Sequence, residues 1–150
     1  MKIAIGSDHA GFQYKEIVKK HLEEKGFEVL DKGTFSEERV DYPVYGEVVA
    51  NAVASGEADR GIVICGTGIG ISIAANKVKG IRAALCTNEY MAKMARKHND
   101  ANILAFGARV LGIDVALGIV DVFFSTDFEG GRHEKRVNLI KKIEEKNFCK

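Results

Sequence analysis

Short apolar runs alternate along this chain with stretches whose apolar residues recur every three or four positions. The runs are Ile3 to Ile5, Phe27 to Leu30, Gly61 to Cys65, Arg82 to Leu85 and Ile103 to Phe106, and they read as five strands. Between the first two, Tyr14, Ile17, Val18 and Leu22 mark a helix that Gly26 stops. Asp41-Tyr42-Pro43 opens the next helix, with proline near its first turn and Val44, Val48, Val49, Ala52 and Val53 on one face. A short helix over Ile71 to Asn76 follows the third strand. The helix between the fourth and fifth strands carries Met91, Met94 and Ala95 on its inner face. Ile113 to Phe124 forms a strongly apolar helix, and Arg132 to Lys146 a charged terminal one.

A run as uniformly apolar as Ile62-Val63-Ile64 suits a strand covered on both faces. Strand–helix alternation therefore predicts an α/β fold of three layers, with a five-stranded parallel sheet and a C-terminal helix. Right-handed crossovers leave few topologies, and the expected one is flavodoxin-like (Rossmann-like), with strand order 2-1-3-4-5. With no internal repeat, low-complexity tract or linker, residues 1–150 are expected to be a single domain.

Composition narrows the function classes. Hydrophobic residues make up 46% and charged residues 29%, a globular balance. The formal net charge of +1 gives no electrostatic case for nucleic acid or an acidic membrane surface. No apolar run approaches the roughly 20 residues needed to span a bilayer, and Met1-Lys-Ile-Ala-Ile5 lacks a signal-peptide layout. Cys65, Cys86 and Cys149 are odd in number and unpaired in spacing, so neither a disulfide framework nor a zinc site is indicated. A reducing cytoplasm is the expected compartment.

The chemistry-bearing residues gather where strands end. Cys65 closes the third strand and opens the turn Gly66-Thr-Gly-Ile-Gly70. There a thiol faces the positive end of the following helix, in the crevice where open α/β sheets bind ligands. The alternative is a small buried hydrophobe, the usual fate of a free cysteine. Gly6-Ser-Asp-His-Ala-Gly11 puts Asp8 and His9 on the same sheet edge; Asp8 equally suits a helix cap, whereas His9 is neither at core spacing nor in a charge run. His98 and Asn99 end the fourth helix, where a histidine also serves simply to oppose the helix dipole. Arg132 and Arg136, four apart, put two guanidinium groups on one helix face and suit a phosphate, unless Glu129 and Glu134 pair with them. Arg109 lies just past the fifth strand. Neither glycine turn matches a nucleotide fingerprint: the first lacks the Lys-Ser/Thr pair, and Ile71 stands where the last glycine or alanine of the dinucleotide pattern belongs. Thiol, histidine, amides and arginines together suit a metal-free proton shuttle on a phosphorylated small molecule, with no cofactor.

The strings Gly6-Ser-Asp-His-Ala-Gly11, Asp41-Tyr42-Pro43, Cys65-Gly-Thr-Gly-Ile-Gly70, His98-Asn99-Asp100 and Glu129-Gly-Gly-Arg-His133 resemble, in order and over essentially the whole chain, the type B ribose-5-phosphate isomerase family. That family includes allose-6-phosphate isomerase and the galactose-6-phosphate isomerase subunits. The resemblance implies interconversion of ribose 5-phosphate and ribulose 5-phosphate through an enediolate, within the pentose phosphate pathway. Cys65 would be the base, with Thr67 adding a hydroxyl beside it. The backbone of Gly66, Thr67, Gly68, Ile69 and Gly70 would stabilise the enediolate oxygen. His98 would open the furanose ring, and Asp8 and Asn99 would hold sugar hydroxyls. His9, Arg109, Arg132 and Arg136 would bind the phosphate or line its approach. From the residues alone the phosphate belongs on the glycine turn; the resemblance gives that turn to the reacting end of the sugar. It also implies a homodimer or dimer of dimers whose sites are completed by the partner's His98, Asn99 and C-terminal segment. Phe123, Phe124 and Phe128 are the apolar cluster expected to need such cover. The competing readings are an isomerase of a six-carbon sugar phosphate, a non-catalytic sugar-phosphate sensor and, less well supported, a nucleotide-binding module.

Overall fold

In a computed structural model describing residues 1–148, five parallel strands form one sheet: β1 (Lys2–Ser7), β2 (Glu28–Asp31), β3 (Arg60–Cys65), β4 (Ala83–Leu85) and β5 (Ile103–Gly107). Six helices connect and follow them: α1 (Phe12–Glu24), α2 (Tyr42–Ala54), α3 (Ile69–Ala75), α4 (Glu89–Asn99), α5 (Ile113–Ser125) and α6 (Arg132–Phe148). Cys149 lies outside the described residues.

The α/β class and the parallel sheet are as expected; the order of the last two strands is not. The sheet runs β2-β1-β3-β5-β4, so β5 rather than β4 lies beside β3. Burial explains the exchange. Ile103, Leu104, Ala105 and Phe106 are all wholly enclosed, whereas β4 has only three residues, all half-buried. An apolar run loses most by sitting at an edge, since enclosing a Leu or Phe side chain stabilises by about 1.5–3 kcal/mol. A short strand is the safer edge, because it offers little unpaired backbone for stray pairing.

Alternation along the strands separates two apolar layers. Ile3, Ile5, Ile62, Ile64, Leu104 and Phe106 pack with α1, α4 and α5; Ala4, Val63, Cys65, Ile103 and Ala105 pack with α2 and α3. Three inner-face expectations change. Met91 is exposed and Met94 half-buried; Ala95 is buried as expected, and α4 turns Ala92 and Arg96 inward beside it. Val44 and Val48 are exposed, and α2 buries Gly46, Val49, Ala50 and Ala52. Phe123 and Phe124 are covered by their own chain, with Phe124 against the Phe27 ring and Phe123 beneath the Arg96 guanidinium. The uncovered apolar surface lies elsewhere. α6 packs on α4 and buries only His133 and Val137 among its described residues, leaving Leu139, Ile140 and Ile143 exposed.

Candidate active site

Cys65 ends β3 in the register Cys65↔Gly107, with its side chain enclosed. The turn that follows is fixed by backbone bonds to the chain after β5: Ala108 N–H donates to the Cys65 carbonyl (2.9 Å) and Arg109 N–H to the Gly66 carbonyl (3.0 Å). Two glycines make this crossing possible. A Cβ on Gly107 would stand 2.5 Å from the Thr67 carbonyl carbon. Gly68 has φ +81°, and a Cβ there would meet the Phe106 backbone at 2.6 Å. The same turn aims Gly68 N–H at Cys65 Sγ, 3.1 Å away, a donor that stabilises negative charge on sulfur. Ile69 N–H donates to Thr67 Oγ1 at 3.2 Å. Two amides of the expected cradle are therefore already committed. Gly70, in the first turn of α3 and only half-buried, has no acceptor four residues back within the helix, whereas Ile71 is wholly enclosed.

Asp8 and His9 leave β1 on the same edge. Asp8 N–H donates to the Ile64 carbonyl, which places it beside the β3 turn; its carboxylate accepts Gly11 N–H at 3.1 Å and so closes the turn ahead of α1, whose N-cap is Gly11 and not Asp8. His9 is held from behind: Val40 N–H donates to its Nδ1 at 3.1 Å, which leaves Nε2 to carry the imidazole proton outward. Nearby, Lys15 is wholly enclosed, and its ammonium lies 2.7 and 2.9 Å from the two Asp31 carboxylate oxygens and 5.4 Å from the centres of the Phe12 and Phe35 rings. Arg109 is exposed beside Gly66, so Asp8, His9, Cys65, the glycine turn and Arg109 share one edge of the sheet.

His98, Asn99, Arg132 and Arg136 do not join them. α4 ends at Asn99 and the chain enters β5 at Ile103, paired with Gly61, four strand residues before the Cys65↔Gly107 pair. At ~3.3 Å per residue, about 13 Å of strand separates the two edges. The end of α4 is pinned by Arg82, whose Nε donates to the Asn99 carbonyl at 3.0 Å, and by Arg96, bonded to the Asp100 carboxylate (3.0 Å) and to the Thr126 carbonyl (3.1 Å). α6 starts alongside, through Glu129 N–H to the Lys97 carbonyl. Arg132 and Arg136 are exposed, and neither has a carboxylate partner among the described residues; Glu129 lies instead 3.8 Å from His133 Nε2. The pairing expected to compete with phosphate is thus not made there.

Residues 3–140 match the family model of Ribose/Galactose Isomerase. The chain belongs to that family. Ribose-5-phosphate isomerase B of Escherichia coli is 57% identical over 145 residues, 97% of each chain. The solved ribose-5-phosphate isomerase B of Clostridium thermocellum is 62% identical, covers 97% of this chain and 99% of its own, and superposes with a TM-score of 0.96. The enzyme of Mycoplasma genitalium, solved with bound ribulose 5-phosphate, is 42% identical with a TM-score of 0.93 and 97% coverage of both chains.

Within this family fold the second described thiol is a poor competitor to Cys65. Burial pushes Cys86 up to about 11, so it stays a neutral thiol near pH 7. Two features escape sequence reading. The amide of Val40 on His9 is backbone, without any residue signature. His133 sits in the string Glu129-Gly-Gly-Arg-His133 without an assigned role, yet its ring stacks on His98 with centroids 4.0 Å apart and planes 12° from parallel. Its place in the first turn of α6, one residue from Arg132, is the only sequence hint. No helix among the described residues is long and apolar enough to cross a membrane.

Proposed function

We propose that this chain is a ribose-5-phosphate isomerase whose site combines the Cys65 edge of one copy with the His98 edge of a second. Membership of the isomerase family and the bound ribulose 5-phosphate of the Mycoplasma relative support the substrate. The observation that carries the mechanism is the Gly68 amide aimed at the Cys65 sulfur in a turn open to solvent at Thr67.

His98 first opens the furanose: C1–O4 breaks with its electron pair on O4, O4 gains a proton, and the anomeric hydroxyl loses one to become the aldehyde. Cys65, as thiolate, then takes the proton from C2. The C2–H electron pair forms the C1=C2 bond and charge moves onto the carbonyl oxygen. The Gly70 amide and the Thr67 hydroxyl stabilise that oxyanion, removing the need for a metal at this step. The O2 proton passes to O1, which becomes the hydroxyl; the electron pair on O2 then forms the ketone carbonyl as the C1=C2 pair takes the proton that the new thiol returns to C1. Asp8 and Asn99 hold the hydroxyls during these transfers. The phosphate is bound by neutral His9 through Nε2–H and by Arg109, Arg132 and Arg136, which supply the charge.

Distance supports the second copy. The helix that carries His98 ends on the sheet edge opposite Cys65, and the exposed Leu139, Ile140 and Ile143 of α6, with Tyr90 and Met91 of α4, offer the apolar surface for association.

The test is isomerisation of ribose 5-phosphate by metal-stripped protein, beside Cys65→Ala and with allose 6-phosphate as a second substrate. The proposal expects turnover of the pentose that falls on the order of 10²–10⁴-fold in the variant. Preference for the hexose would move the substrate. Binding without turnover would make the protein a sensor.

A further inference from the structure

The stacked pair His98–His133 contains a histidine that the proposed reaction does not use. His133 is only 4% exposed, and its Nε2 has no hydrogen-bond partner among the described residues; the nearest carboxylate oxygen, on Glu129, is 3.8 Å away. An enclosed imidazole with an unmet nitrogen is costly, and a phenylalanine or leucine would fill the same space without that cost. What the imidazole adds is a flat, neutral, electron-rich face lying parallel to His98 at 4.0 Å.

Two rings in such contact repel if both are cations. Burial holds His133 below the ordinary imidazole value, and the neighbouring charges of His98, Arg132 and Arg136 push the same way, with Glu129 opposing. His98 is half-exposed at the end of α4. The carbonyls at that helix end favour a cation there, and so does the π face of His133.

We propose that His133 is a positioning residue for ring opening: stacked and neutral, it fixes the plane of the His98 ring and supports its imidazolium. This rests on the reading of the site as an aldose isomerase in which His98 opens the furanose. Whether His98 gives a proton to O4 or takes one from the anomeric hydroxyl, it passes through the imidazolium. The effect of His133 therefore falls on ring opening and not on the proton transfers at C1 and C2, which belong to Cys65.

The two stages separate experimentally. Ribulose 5-phosphate has no ring to open, and exchange of its C1 hydrogen with solvent deuterium reads the Cys65 step alone. Conversion of ribose 5-phosphate reads both stages. His133→Leu is expected to slow ribose 5-phosphate conversion about tenfold while C1 exchange stays within about twofold, and His133→Phe, which restores a flat π face, is expected to recover most of the loss. Equal losses in the two assays would reduce His133 to a packing role, and so would a phenylalanine variant no better than leucine; either result overturns the proposal. Should the leucine variant not fold, NMR titration of the imidazoles in the unaltered protein decides: His98 must take up its proton at higher pH than His133, and the reverse order overturns the proposal. A wild-type protein that converts no ribose 5-phosphate would instead overturn the isomerase reading itself.

Discussion

At one end of the sheet Cys65 is held by backbone, and at the other His98 is held by side chains. Around Cys65 the contacts are amides and carbonyls of the β3 turn, of the chain after β5 and of the segment leaving β1. At the His98 end the guanidinium groups of Arg82 and Arg96 and the Asp100 carboxylate fix the end of α4, and the His133 ring alone stacks on His98, beside the exposed arginines of α6. A backbone-built site is preorganised by the sheet itself, which suits stabilising charge as it develops. A site built from helix ends and an outlying helix is positioned only as well as its partners hold it, which suits grasping a phosphate and opening a ring. The two ends also differ in completeness. The thiol end has Cys65 and its amides within one chain, whereas the histidine end lies at the opposite edge of the sheet, where the proposed site brings in a second copy.

The sharpest way to break the thiol end is Gly68→Ala. The left-handed φ and the 2.6 Å approach to Phe106 leave no room for a methyl group, so a loss of about 2–4 kcal/mol in unfolding free energy is expected, together with most of the turnover. Denaturant unfolding with a parallel activity assay checks it, and a variant as stable as the parent would show that the turn is not tightly crossed. Breaking the histidine end costs binding instead. Arg136→Ala is expected to raise KM for ribose 5-phosphate about tenfold or more with little change in kcat, since one charge-assisted contact to phosphate is lost. An unchanged KM would remove Arg136 from the site.

How much of this contrast was legible follows from the same difference. The thiol end is written in consecutive residues, because a strand and the turn after it are local; Cys65-Gly-Thr-Gly-Ile-Gly70 announces both the strand end and the crossing. The histidine end is assembled from α4, β4 and α6, and no spacing along the chain reports that His133 lies on His98. The strand order failed for a related reason. Both Arg82-Ala-Ala-Leu85 and Ile103-Leu-Ala-Phe106 read as strands, but which one lies beside β3 depends on how completely each is enclosed, a property of the packed layers. Likewise Phe123 and Phe124 read as cover-seekers, yet they fill their own core, with Phe128 half-buried, while a helix that reads as charged leaves Leu139, Ile140 and Ile143 uncovered.

Smaller effects sharpen the comparison further. His133 is held neutral in the fold by burial, then by its cationic neighbours, so the unfolded chain binds a proton near pH 6.5 that the folded chain refuses. Its contribution to stability is complete above that pH and is lost as the pH falls below it. Wild-type Tm is therefore expected to drop more steeply between pH 7 and 5 than that of His133→Phe; identical slopes would refute the neutral assignment. Asp121 does not confuse this window. Burial opposes its charge, but hydrogen bonds from His21 and Lys25 prevail and hold it below the ordinary carboxylate value of 3.8, so its loss comes at lower pH. The smallest effect is expected from Cys86→Ala, whose neutral thiol takes no part in proton transfer: kcat should stay within about twofold of the parent.

The central claim, that Cys65 of one copy works with His98 of another, is tested most directly by mixing two inactive variants. Cys65→Ala and His98→Asn are each purified, combined in equal amounts under conditions that exchange subunits, and assayed with ribose 5-phosphate. In a two-fold dimer each mixed pair contains one intact site and one doubly altered site, so about one quarter of wild-type activity is expected to return. A mixture as inactive as its components, with subunit exchange demonstrated by mass, would place both residues in a site within one chain or remove one of them from the chemistry, and the account would fail.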